Sequence, residues 1–228
     1  MTPTPASAHG TPDTPHLTVR GEAHLEADPD TARIGITLTA RGTDRRATLA
    51  DLTRRNTATL DLVQSYGDAV EHLETGALTL SPELTRHGRG ERVRAHHGHV
   101  HLTAELNDFT ALGELTARLA DLELTRVDGP WWTLRPQSPA HGRARRQAVQ
   151  EAVRRAREYA EALGTTLTAL LELTDTDTDP AQPLARGLRT MAYATDSAEE
   201  TAPLDLAPQR QHVHAQVTAR FTMAPPNL

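Results

Sequence analysis

Five histidines give this chain its most concentrated coordination chemistry. The run Arg94-Ala95-His96-His97-Gly98-His99-Val100-His101 carries imidazoles at alternate positions. Read as a strand, it places His97, His99 and His101 on one face, about 7 Å apart at each step of two. Near the C-terminus, His212 and His214 alternate in the same way with Val213 and Ala215. Were the two strands neighbours in register, four or five imidazoles would share one patch. Imidazole nitrogens suit Zn, Cu or Ni, so His97, His99, His101, His212 and His214 are the candidate metal ligands. Glu105 falls on the same face as the first three. The plainer alternative is a solvated sheet face that tolerates His. A subunit interface built on such a patch would loosen below about pH 6.5, where imidazoles gain charge.

The other polar motifs exclude more chemistry than they supply. With no Cys, the chain forms no disulfide, thiolate nucleophile or zinc–thiolate site. It carries neither a G-x-S-x-G elbow nor a P-loop, and none of Ser7, Ser65, Ser81, Ser138 and Ser197 stands in a nucleophile setting. Asp175-x-Asp177-x-Asp179 begins like a calcium loop. It fails at Pro180, where the sixth position needs Gly, and at Arg186, where the twelfth needs Glu. His87-Gly88-Arg89-Gly90 reads as a hairpin turn. No catalytic residue is assigned, and the chain is expected not to be an enzyme. Trp131 and Trp132 point to opposite faces of one strand, so one is core and the other is available to a partner. With Met191 and Tyr193 they are the candidate interface residues, since exposed aromatic side chains often anchor contacts.

The elements that must position these groups follow from periodicity. Residues 1–15 read as a disordered tail of Thr, Pro and Ala. From Leu17 to Ala27 the pattern has period two, Asp28-Pro29-Asp30 turns the chain, and a second strand points Ile34, Ile36, Leu38 and Ala40 inward. The two are expected to pair as a hairpin. Thr43 or Asp44 caps a helix with Leu49, Leu52, Leu60 and Val63 on its apolar stripe. A strand broken near Ser81-Pro82, the histidine strand, a short helix capped at Asn107-Asp108 and a strand holding both tryptophans come next. Ser138-Pro139 opens the longest helix, whose inner face holds Ala144, Ala148, Ala152, Ala156, Tyr159, Ala160 and Leu163, with Gly164 as its stop. An apolar strand follows, then a long loop over residues 175–208 and a final alternating strand. The order β-β-α-β-β-α-β-α-β-β predicts an α+β fold of two layers: a largely antiparallel mixed sheet with helices packed on one face. One domain over 16–224 is expected, with tails at 1–15 and 225–228.

Composition sets the class. The chain has 228 residues and a net charge of −6, with all 24 of its Lys+Arg positions filled by Arg. An acidic balance argues against nucleic acid as partner, because counterion displacement needs surplus cations. No apolar run reaches the roughly 18 residues of a membrane span, and the N-terminus lacks a signal-peptide pattern. A cytoplasmic location is the expectation.

The ordered set of motifs resembles the SIMPL-domain (YggE-like) family. It rests on Val19-Arg20-Gly21-Glu22-Ala23 with Ala27-Asp28-Pro29-Asp30-Thr31-Ala32, on Thr75-Gly76-Ala77-Leu78-Thr79-Leu80-Ser81-Pro82, and on Ala144-Arg145 with Ala148-Val149, Ala152 and Ala156-Arg157. Tyr159-Ala160 with Ala162-Leu163-Gly164 extends the match, which covers roughly residues 16–224. The resemblance implies a bacterial protein of unestablished activity, linked to oxidative-stress defence and able to form ring-like homo-oligomers, with no catalytic residues to carry over. The expected function is thus a non-enzymatic assembly or interaction protein, joined to copies of itself or an unknown protein. The alternatives are a transition-metal protein using the histidines, or an enzyme with its site in a sheet cleft.

Overall fold

Buried and exposed positions alternate along four of the described strands, and the strands pair in two sheets. The structure, a computed structural model, describes residues 10–84, 93–176 and 205–226. Met191 and Tyr193 lie outside the described residues. The elements are β1 (His16–Ala27), β2 (Thr31–Gly42), α1 (Arg45–Gln64), a 3-10 turn (Gly67–Ala69), β3 (Val70–Leu84), β4 (Val93–Leu106), α2 (Phe109–Ala120), β5 (Thr125–Thr133), α3 (Pro139–Ala162), β6 (Leu167–Asp175) and β7 (Gln211–Met223). This is an α+β chain in the expected element order, with antiparallel sheets. Where one sheet was expected, the strands divide into β3-β4-β2-β5 and β1-β7-β6. Each sheet belongs to its own compact unit.

The four-stranded sheet is built around β2. Ile34, Ile36, Leu38 and Ala40 point inward at 1% exposure or less. Ile36 faces Leu102 of β4 on one side and Val127 of β5 on the other. Leu52 and Val63 of α1 and Leu112, Leu115 and Leu119 of α2 close the same core. Each fully buried leucine contributes about 1.5–3 kcal/mol relative to exposure. The expected β1–β2 hairpin does not form, because β4 and β5 occupy both edges of β2.

Asp44 caps α1 by accepting from the Ala47 N–H at 2.8 Å. Asp108 caps α2 by accepting from Thr110 at 2.9 Å and Ala111 at 3.1 Å. Leu49, expected on the buried stripe, is exposed. The inward positions of α1 are Thr48, Leu52, Thr59 and Val63, which keep a single helical face. The expected break at Pro82 is absent, and β3 runs through it. As an outer strand, β3 tolerates a residue that cannot donate on its open side.

In the three-stranded sheet, Val19, Ala23 and Ala27 of β1 are buried with Val213, Ala215, Val217, Ala219, Phe221 and Met223 of β7. Helix α3 seats on this face through Ala140, Ala144, Ala148, Ala152, Ala156 and Ala160, each at 2% exposure or less. The approach is close enough to need a glycine opposite. A Cβ on Gly21 would lie 2.1 Å from the Ala148 carbonyl oxygen and 2.6 Å from the Ala152 nitrogen. Tyr159 and Leu163, expected on the inner face, are exposed. Alanines at every fourth position form the contact ridge, so Tyr159 points to its side and Leu163 is the C-cap beyond the last turn. Gly164, at φ +66°, ends the helix as expected. Its N–H donates to Glu161 and that of Thr165 to Ala160, both at 2.9 Å. Helix α3 lies chiefly over β1 and meets β6 little.

Candidate functional site

On β4 the core face carries Gly98, Val100 and Leu102, so His97, His99 and His101 project from the opposite face, as alternation predicts. Register places His97 between Arg41 and Ser81, and His99 between Thr39 and Thr79. His101 stands opposite Thr37, whose hydroxyl lies 3.2 Å from the ring Nδ1. Arg41 donates to Glu83 at 2.7 Å, and His97 Nε2 lies 2.7 Å from the same carboxylate oxygen. Arg41 Nε also approaches that ring nitrogen, at 3.1 Å. One nitrogen cannot donate to the carboxylate and accept from the guanidinium together. The shorter, charge-assisted contact assigns the proton to Nε2. Arg41 first, then His97, hold the Glu83 carboxyl at about 2, well below its ordinary 4.5.

His212 and His214 sit on β7, the central strand of the other sheet. The condition for a shared five-histidine patch, that the two strands be neighbours, is therefore not met. His214 instead meets His24 of β1, with ring centroids 4.5 Å apart and planes tilted by 38°. Glu22 precedes His24 by two residues and shares its face. The ligand atoms of Glu22, His24 and His214 all lie within 4.8 Å of one another. Among the described residues this is the one group of three or more metal-type side chains so gathered, and it includes none of His97, His99 and His101. Arg20 Nε lies 2.5 Å from the Glu22 carboxylate, and the same guanidinium donates to Gln216. The period-two pattern from Leu17 to Ala27 puts Glu22 and His24 on the face opposite Val19 and Ala23. It missed the site because nothing in the chain's alternation names β7 as the neighbour of β1.

The SIMPL family, described as a protein of unknown function (DUF541), matches residues 17–221. The chain belongs to the SIMPL family. The match begins in β1 and ends in β7, so it takes in the whole Glu22–His24–His214 group. No curated protein matches the chain.

The tryptophans of this SIMPL chain divide as their alternation requires. Trp132 is half-buried and meets Phe109 edge-on at 4.8 Å. Trp131 is 39% exposed, with the Arg33 guanidinium 5.7 Å above its ring. Gly35 leaves the space beside it: a Cβ there would meet His101 at 3.0 Å and Trp131 at 3.4 Å.

Among the described residues, four carboxyls are displaced from their ordinary range, all downward. Arg55 and Arg54 lower Asp51; Arg135 and Asn107 lower Glu71; Arg154 and Arg155 lower Glu151; Glu83 is the fourth. These are ion pairs that keep the SIMPL surface ionised. No described helix is long and apolar enough to cross a membrane.

Proposed function

We propose that this SIMPL protein is a non-enzymatic assembly module that joins further copies of itself through the outer edge of β6. The observation that carries the reading is the strand itself. Leu170, Leu171 and Leu173 are 53%, 49% and 47% exposed, and among the described residues no strand pairs with β6 on its far side from β7. Free edges are ordinarily blunted by Pro, Lys, bulges or inward charge, and β6 shifts register against β7 at Leu167/Ala169 and Leu170/Glu172. Leu167–Asp175 contains no Pro or basic residue. The strand also suits its own copy. In an antiparallel pair centred on Leu171, Leu170 faces Glu172, Leu173 faces Ala169 and Leu167 faces Asp175, so no like charges are opposed. The ring-like assembly that the family resemblance implies agrees with this reading.

Light scattering on the purified full chain tests it. The expected particle mass is a multiple of 24.8 kDa. Leu171→Lys should reduce it to the single-chain value with an unchanged far-UV spectrum. A wild-type chain that stays monomeric at high concentration, or a Leu171→Lys assembly of undiminished mass, refutes the proposal.

A further inference from the structure

We infer that Glu22, His24 and His214 form a binding site for a zinc-class divalent transition metal. Two imidazoles and one carboxylate are a donor set that zinc, nickel and copper accept, and three protein ligands leave a position open to water or a small anion. The ligand atoms need little movement. In a tetrahedral zinc site, ligands about 2.0–2.2 Å from the ion stand about 3.3 Å from one another. Here the largest separation is within 4.8 Å. Small rotations of partly exposed side chains on neighbouring strands close that gap.

The backbone beneath the group is held by the core. Ala23 stands between Glu22 and His24 at 2% exposure, while Val213 and Ala215 flank His214 at 5% and 1%. Ligands that project outward from residues pinned inward are pre-positioned, which separates this group from histidines scattered on a surface. His97, His99 and His101 show the contrast. They share a face and a strand, but each sits opposite a different pair of neighbours, and their ring atoms do not converge with a third ligand.

A positive charge already occupies the place beside the carboxylate. The Arg20 guanidinium spans from Glu22 to Gln216. This cation beside Glu22 repels an incoming metal ion, so Arg20 opposes binding and its removal tightens it. Simple scaffolding by Arg20 predicts the opposite.

The test is equilibrium zinc binding to the untagged full chain by isothermal titration, with visible absorption of the cobalt-substituted protein as a second readout. Wild type should bind one equivalent with a micromolar or tighter constant, and cobalt should give the intense bands of a four-coordinate site. His24→Gln and His214→Ala should each weaken binding at least tenfold, Glu22→Gln by less, and Arg20→Ala should strengthen it. His99→Ala, on the other sheet, should leave the constant unchanged. Thermal melts of every variant separate lost ligands from lost fold. Zinc binding that survives both histidine substitutions overturns the inference. So does binding that is abolished by His99→Ala, or weakened by Arg20→Ala in a chain that melts as wild type does.

Discussion

Replacing Gly21 with Ala adds one methyl group at the seat of α3 and tests how closely that helix sits on β1. The new carbon would stand 2.1 Å from the Ala148 oxygen, 2.6 Å from the Ala152 nitrogen and 2.8 Å from the Ala152 Cβ, where ordinary contact begins at 3.4 Å. Backbone atoms on both elements are involved, so no rotamer change relieves the clash. Helix and strand must separate by about 1 Å, which opens gaps along the alanine ridge on either side. Overpacking of this kind costs about 1–3 kcal/mol, and the rigid backbone contacts put this case at the upper end. For a chain of this size, ~3 kcal/mol corresponds to a fall in Tm of about 6–12 °C. Propensity alone predicts the reverse sign, since Gly within a strand or helix is less stable than Ala by about 0.5–1 kcal/mol. Gly142 supplies the control on the same helix: its Cβ would meet nothing nearer than the Arg146 guanidinium at 3.5 Å. Gly142→Ala should therefore stabilise by roughly 0.5–1 kcal/mol. Urea titration and thermal melts followed by circular dichroism read both. If Gly21→Ala is as stable as wild type, the close seating of α3 on β1 is wrong.

Two further perturbations probe the four-stranded unit. Glu83 has its carboxyl lowered to about 2 from 4.5, so its ion pair adds stability that is complete above about pH 4.5 and is lost as pH falls towards 2. Arg41→Met should move the Glu83 midpoint, followed by carboxyl carbon NMR, upward towards 4.5; an unmoved midpoint excludes Arg41 as the cause. Asp108→Ala removes the acceptor for two N–H groups at the start of α2 and should cost about 1 kcal/mol in urea unfolding, whereas a change below a few tenths would mean that solvent caps the helix equally well.

Much of this architecture could be read from side-chain alternation alone. Ile34, Ile36 and Leu38 of β2, and Val213 to Met223 of β7, declare their buried faces because period two leaves no other arrangement. Asp108 and Gly164 marked helix ends for equally local reasons: a short carboxylate that reaches its own N–H groups, and a residue free to take positive φ. Pairing is where local reasoning stopped. Alternation says which face of a strand is wet but not which strand lies beside it, so β1 was given to β2 although β2 already had two neighbours. The same gap split the histidines. His214 was assigned correctly to a polar face, yet its companion is His24, not His99, and only the order β1-β7-β6 reveals that. Leu49 and Tyr159 show a second limit. Where Thr48 and Thr59 share the inward face of α1 with Leu52 and Val63, and Ala makes that of α3, a large apolar side chain is no sure guide to the inward direction.

The strand order β1-β7-β6 has a consequence for how the molecule is made. Among the described strands, β7 leaves the ribosome last yet is the middle strand of its sheet, lying between β1 and β6. Strands β2 to β5 all lie between Thr31 and Thr133, so their sheet can close while the nascent chain is still growing. Until Gln211–Met223 emerges, β1 and β6 have no β7 to lie against. Contacts this distant along the chain form slowly. Synthesis must pass Met223 before the β1-β7-β6 sheet can close.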